Sequence, residues 1–349
     1  MSDQDLSKKK VALIGGAGFI GHNFALKLAE LGAEVHIVDS LQVNNLGAFS
    51  NSHDDQNKAL YLHLINERLR LLRENAIPLH VLDARDYHAL SRCLGDIQPH
   101  IVVQLAAIAH ANRSNKDPYS TFDHSFRTLE NALDYARGHV EQFVYFSSSM
   151  VYGNFNGEAV IEDRRCEPLG IYGALKYGGE KLVIAYNQVF GLPYTIIRPS
   201  ALYGERCVSR RVGQAFIENT LRGMKLNVNG DGSDALDFTD IADMVQGLVL
   251  CLSKKEAHNE IINLTYGDAR SLKQMIAVVQ ANFPGVEVNF NPRDALMPER
   301  GTLSIEKAKR LLGYKPAHPL EKGFVRYINW YKELARECPK FFAAKSSRN

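Results

Sequence analysis

The chain has 349 residues, 45% hydrophobic and 23% charged, with a formal net charge of +2, enough chain for two domains or one large elaborated one. That balance, with no basic run carrying interleaved aromatics, excludes a general nucleic-acid binder, and no apolar run approaches the roughly 18 residues of a membrane span. Five scattered cysteines without C-x-x-C argue against a disulfide framework or zinc site, and the charged start MSDQDLSKKK has no apolar signal core, which predicts reduced thiols in a cytoplasmic chain.

Residues 10–14, KVALI, are an apolar run bounded by glycine and predict a buried strand; FALKLAELG then carries helical periodicity and stops at Gly32. Between them, GGAGFIG satisfies G-x-G-x-x-G through Gly16, Gly18 and Gly21, and G-x-x-G-x-x-G through Gly15, Gly18 and Gly21. Glycines permit the tight turn and let backbone amides approach a pyrophosphate at a helix N-terminus. A second strand, EVHIVD, ends in Asp39, 18 residues beyond Gly21, where a carboxylate can accept from an adenosine ribose. Ser40 and Leu41 follow, with no arginine to meet a 2′-phosphate, so the sequence predicts NAD rather than NADP.

From Gln42 to Ala76 the chain departs from a minimal βαβ rhythm, and ALYLHLINERLRLLREN predicts an inserted amphipathic packing helix. LHVLDARD predicts a strand that places Asp83 at its C-terminal end, the edge where open α/β sheets bind ligands. IVVQLAAIAH predicts another buried strand, with Ala106 and Ala107 small enough for a cofactor to approach. DPYSTFDHSFRTLENALDYAR predicts one long helix, and QFVYFSSSMVYG a strand with Ser147, Ser148 and Ser149 at its end. Strands alternating with helices specify a parallel sheet covered on both faces.

In IYGALKYGGEKLV, Tyr172 and Lys176 are four residues apart, which on a helix places phenol and ammonium on one face. A free tyrosine is only about 0.1% ionised at neutral pH, and a nearby cation favours the phenolate needed of a general base. GLPYTIIRPSALYG predicts a strand delivering Arg198 and Pro199 to the cleft, and DFTDIADMVQGLVLCL a helix packing back on the sheet. Smaller helices and strands follow, ending in a frayed KSSRN.

Through GGAGFIG, Asp39, Asp83, LAA at 105–107, SSSMVYG, YGALK, RPSALYG, GDGSDALDF and KRLLGYKP, the chain resembles an extended short-chain dehydrogenase/reductase of the nucleotide-sugar epimerase and dehydratase type, over roughly residues 9–335. The resemblance implies an α/β fold: a Rossmann-type doubly wound parallel sheet of seven strands with a smaller C-terminal substrate-binding α/β lobe. It implies an NAD-binding domain at 9–198 and 237–267, a lobe at 199–236 and 268–338, and a tail at 339–349. It also implies Ser148, Tyr172 and Lys176 as catalytic. NAD contacts would come from Gly15, Gly18, Phe19, Ile20, Gly21, Asp39, Asp83, Ala84, Leu105, Ala106, Ala107, Tyr172, Lys176 and Pro199. A nucleotide sugar would meet Ser148, Ser149, Tyr172, Arg210, Arg211 and Arg300, with no metal. Helices around 119–137 and 172–190 would pair two copies into a homodimer.

In that family Tyr172 would take a hydroxyl proton as hydride passes to NAD. Dehydratases place Asp and Glu where this chain has Ser149 and Met150, decarboxylases also use an acid there, and 3,5-epimerising relatives put Cys at Met150. A thioether exchanges no proton, which disfavours those routes and leaves C4 epimerisation of a UDP-hexose or UDP-uronate. The insertion after Asp39 resembles that of uronate epimerases. The family's usual Asn is Ala201 and a pyrophosphate-clamping Arg is Leu236, so a dehydrogenase or reductase acting on a substrate without a diphosphate stays open. A 4,6-dehydratase or decarboxylase stays open as well, and a silent NAD-binding scaffold is opposed by the retained Ser148, Tyr172 and Lys176. His124 replaces a usual Asn; Asn112 and Arg113 fall near positions that contact sugar in uronate epimerases, the arginine one place out of register. His36, His80 and His110 read as packed or exposed residues.

Overall fold

A computed structural model describes residues 5–50, 55–108, 111–293 and 297–343, at 55–56 and 111–113 the backbone alone. Seven parallel strands make the central sheet: β1 Lys10–Ile14, β2 Glu34–Asp39, β3 Leu79–Val81, β4 Ile101–Gln104, β5 Gln142–Phe146, β6 Tyr194–Pro199 and β11 Glu260–Leu264. Their spatial order is β11-β6-β5-β4-β1-β2-β3, so the winding reverses between β1 and β4. Such a reversal opens a crevice at the strands' C-terminal ends.

Side chains alternate across each strand and feed two cores. Val11 and Leu13 of β1 pack with Phe24 and Leu28 of α1 (Phe19–Glu30) and with Met244 and Leu248 of α10 (Ile241–Ser253). Ala12 and Ile14 face the other way, onto Leu90 and Leu94 of α4 (Tyr87–Ile97), Leu129 and Leu133 of α7 (Thr128–Ala136) and Val183 of α8 (Gly170–Phe190). Covered on both sides, β4 and β5 are buried throughout. Asp86 caps α4 by accepting from the Ala89 amide at 3.0 Å, and Gly191 in the left-handed region ends α8.

A third core is built by helices α9 (Val212–Leu221), α11 (Leu272–Asn282) and α13 (Leu320–Glu337), through Phe216, Met275, Phe324 and Tyr331. Short strands join its edges: β7 Leu202–Tyr203 with β10 Thr239–Asp240, β8 Leu226–Asn229 with β13 Val288–Asn291, and β9 Ala235–Leu236 with β12 Arg270–Ser271. The short helices α2 Leu46–Ser50, α5 Ala111–Lys116 and α12 Glu306–Leu312 complete the chain's connections. The inserted helix, α3 Asp55–Glu74, sends Leu60, Tyr61, Leu64 and Ile65 into this third core, while Leu72 joins the first. Packing is thus its role: it packs on α1 and α2, with Phe49 meeting Tyr61 edge to face, and also on residues far downstream.

Two expectations change. The long helix expected over 117–137 is α6 (Pro118–Phe122), a π turn at Asp123–Arg127, and α7. The expected tail at 339–349 begins with a turn, Pro339–Phe341, and a buried Phe342 whose ring meets Tyr331, so packing continues past 338. KSSRN lies outside the described residues. Among the described residues no helix is long and apolar enough to cross a membrane.

Candidate active site

At the crevice between β1 and β4 the glycine loop turns under tight constraint. Gly15 has φ +79°, and a Cβ there would lie 2.6 Å from the amide nitrogen of Ala106. Leu105 and Ala106 in turn donate their amides to the Ile14 carbonyl at 2.8 and 2.9 Å. A Cβ at Gly21 would lie 2.4 Å from the Gly16 carbonyl oxygen. Gly18 is the N-cap of α1 and no side chain caps it, so the first-turn amides of Phe19 and Ile20 are placed where a helix N-terminus can receive an anion. Asp39 ends β2 and accepts from the amides of Ala17 at 3.0 Å and Leu41 at 2.7 Å. Burial pushes its carboxyl up and these two amides oppose that shift. Asp39 therefore also ties down the glycine loop, a role the spacing alone did not reveal.

Asp83 is held by its neighbour: Arg85 donates Nε at 3.0 Å and Nη2 at 2.6 Å, keeping the carboxyl below its usual range. Arg85 also reaches Asp123 in the π turn at 2.8 Å and Gln42 at 3.3 Å, binding the ends of β2 and β3 to the helix pair. Ala84 is buried. Behind the glycine loop lies a group the sequence reading missed. Buried His22 bonds through Nδ1 to the Gly18 carbonyl at 2.9 Å, and Arg206 donates Nε to its Nε2 at 3.3 Å. Burial, with Arg68 and Arg206 nearby, holds this imidazole well below its ordinary pKa and hence neutral. Arg68, fully buried on α3, donates Nε to the Arg206 carbonyl at 2.9 Å. No motif announces these three, because they come from three distant segments.

The residues expected to be catalytic stand where β5 stops. Ser148 caps a short turn, Ser149–Tyr152, by accepting from the Met150 amide at 3.2 Å; Ser149 and Met150 are buried. Tyr172 stands in the first turn of α8, half-buried. Burial pushes its phenol up, while the charge of Arg211 and the hydroxyl of Ser148 draw it back. Lys176 lies one turn on, as the spacing predicts, but its Nζ donates to the Phe146 carbonyl at 2.5 Å and sits 5.0 Å from the centre of the Tyr145 ring. Burial lowers this ammonium to about 8, and Glu180 opposes the shift. Lys176 is thus anchored on β5 by the Phe146 carbonyl.

Arg198 corrects an expectation: its side chain is 3% exposed and does not reach a cleft, because it turns inward to pair with Glu180 at 2.7 Å. Pro199 ends β6, half-buried. Of the arginines expected to meet a sugar nucleotide, Arg300 and Arg211 share one electrostatic neighbourhood. Burial lowers Arg300 to about 10, Arg211 adds to that, and Asp234 opposes it. Arg210 turns away, onto Asn219 at 3.0 Å and towards Glu218. Ala201 takes a strained φ of +35°, and Leu236 is buried in the third core. His124 is a packed residue, bonding to the Ser120 carbonyl at 2.9 Å, and His36 stacks on His80. His110 and the side chains of Asn112 and Arg113 lie outside the described residues. Among the described residues no group of His, Cys, Asp and Glu could hold a metal ion.

This arrangement fits a dinucleotide: a loop with no room for a Cβ, a helix N-terminus for the pyrophosphate, a carboxylate at the second strand's end, and a Ser/Tyr/Lys set across the crevice. Residues 11–265 match the family model described as the NAD dependent epimerase/dehydratase family. The chain belongs to that family, and its cofactor is NAD. It is 28% identical over 335 residues, covering 93% of this chain and 99% of the relative, to a putative UDP-glucose 4-epimerase of Methanocaldococcus jannaschii. Identity is also 28%, over 91% of this chain and 95% of the relative, to a UDP-glucuronate 4-epimerase of Thermodesulfobacterium geofontis. Among solved structures, the UDP-glucuronic acid 4-epimerase of Bacillus cereus, in complex with UDP-glucuronic acid and NAD, superposes with a TM-score of 0.83 at 27% identity, covering 93% of this chain and 99% of that one.

Proposed function

We propose that the protein is a 4-epimerase of a UDP-hexose or UDP-uronate. The observation that carries this reading is Met150, buried beside Ser148 in the turn that faces Tyr172. A thioether there neither donates nor accepts a proton, so elimination or decarboxylation has no acid at the position those chemistries use. NAD, when bound, would supply a reversible hydride acceptor. Tyr172 takes the C4 hydroxyl proton and gives it back after the sugar presents its other face. Ser148 hydrogen-bonds the same oxygen, and Lys176, seated on Phe146, holds the nicotinamide ribose. Arg211 and Arg300 hold the diphosphate, taking over from the arginine replaced by Leu236.

In this reading the NAD-binding domain comprises 9–198 and 237–267 and the substrate lobe 199–236 and 268–338. The enzyme works in the cytoplasm as a homodimer, paired through α6, α7 and α8, whose Tyr119, Phe122, Val189 and Phe190 are exposed. Incubation with a panel of nucleotide sugars, read by NMR, is expected to give the C4 epimer with no net NADH. A stable keto-sugar or a pentose product overturns the assignment. A second reading, oxidation of a substrate without a diphosphate, is favoured by Leu236 lying buried among apolar side chains; net NADH formation identifies it.

A further inference from the structure

Ser147, Glu180 and Arg198 form a buried knot behind the catalytic side chains, and the chemistry above uses none of them. Arg198 donates Nε to Glu180 Oε1 at 2.9 Å and Nη2 to Oε2 at 2.7 Å; Ser147 donates its hydroxyl to the same Oε1. The pair's side chains are 3% and 1% exposed. The third guanidinium nitrogen donates to the Glu162 carbonyl at 3.0 Å, and the guanidinium carbon lies 4.7 Å from the centre of the Tyr152 ring. Stability alone is a weak reason to bury such a pair, because desolvation offsets most of the attraction and apolar residues of similar volume often do better.

Placement gives a stronger reason. Ser147 immediately precedes Ser148. Glu180 follows Lys176 by one helical turn and Tyr172 by two, on the same face of α8. Arg198 stands on β6, where Ile197 registers with Phe146 of β5, the residue whose carbonyl anchors Lys176. The knot therefore joins the strand end that presents Ser148 to the helix that presents the other two groups. We propose that Glu180, clamped by Arg198 and Ser147, is a positioning residue that fixes Ser148 against the Tyr172–Lys176 pair. Lys176 is faced by Glu180 from α8, by Tyr145 and the Phe146 carbonyl from β5 and, through Glu180, by Arg198 from β6; Tyr172 is faced by Ser148 from the end of β5 and by Arg211 from the turn before α9.

The inference rests on Tyr172 being the base of the proposed reaction, so its test reads Tyr172 rather than any sugar. In the NAD-loaded protein the phenolate absorbance of Tyr172 is titrated as the difference from Tyr172→Phe. The double variant Arg198→Met/Glu180→Leu keeps the volume and removes both charges together. It is expected to hold its thermal midpoint within a few degrees of the parent while the Tyr172 titration moves up by about one unit, tenfold less phenolate at neutral pH. Ser147→Ala, which removes one bond and no charge, is expected to move the titration the same way by a smaller step. A folded double variant that titrates like the parent overturns the inference. If the double variant does not fold, an unmoved titration in Ser147→Ala overturns it. Failure of every sugar in the panel to turn over would sink the epimerase assignment and leave the titration result standing.

Discussion

Tyr172 is half-buried beside Ser148, and the proposed proton transfer depends on its hydroxyl. Tyr172→Phe is expected to lower kcat by about 10²–10⁴-fold while NAD still raises the melting temperature, which separates loss of the base from loss of the fold. Lys176 makes a different prediction. Its folded pKa of about 8 lies below the 10.5 of an ordinary lysine, so the folded state holds this proton less tightly than the unfolded chain does. The charged ammonium then opposes folding at neutral pH, and the stability it withholds returns as pH rises from about 8 towards 10.5. Lys176→Met is expected to abolish most turnover yet raise stability at pH 7 by on the order of 2 kcal/mol, allowing for the lost bond to Phe146. Thermal scans at about pH 7 and pH 10 check this, since the advantage should shrink at the higher pH.

Among the elements, the glycine loop and β4 meet so closely that sequence and structure test each other. Gly15→Ala would place a methyl 2.6 Å from the Ala106 nitrogen in a backbone conformation with φ +79°. A strain of about 1–3 kcal/mol is expected to weaken NAD binding by roughly tenfold or more, measured by calorimetry. The strands, the loop, Asp39 and the Tyr/Lys helix were legible in the sequence because each is a local pattern of periodicity or spacing. Arg198 was misplaced because a strand's alternation gives the side on which a residue points but not the partner it finds there; Glu180 decided that. The π turn at Asp123–Arg127 was invisible for a related reason, since one extra residue per turn leaves the apolar spacing of α7 intact. Likewise, four-residue spacing put Lys176 on the right face without showing that the Phe146 carbonyl would accept its hydrogen bond.

Across the whole molecule, assembly is the property most directly open to measurement. Tyr119 is 84% exposed and Val189 71%, on the helices through which the proposed homodimer pairs. Tyr119→Asp/Val189→Asp is expected to halve the mass found by light scattering while leaving the NAD-induced rise in melting temperature in place. The succession of strands and helices that makes the central sheet was readable from their alternation; the destination of α3 was not, because its apolar stripe says only that something covers it. Leu60, Tyr61, Leu64 and Ile65 are covered by Phe216, Val228, Tyr331 and their neighbours, residues translated long after them. At about 5–20 residues per second, the ribosome leaves on the order of ten to thirty seconds between making Ile65 and making Phe216. Throughout that interval the apolar stripe of α3 has α1 and α2 beside it but lacks its downstream cover. Products released before residue 216 are expected in the insoluble fraction, and holding that helix out of trouble is work for the cell's chaperones.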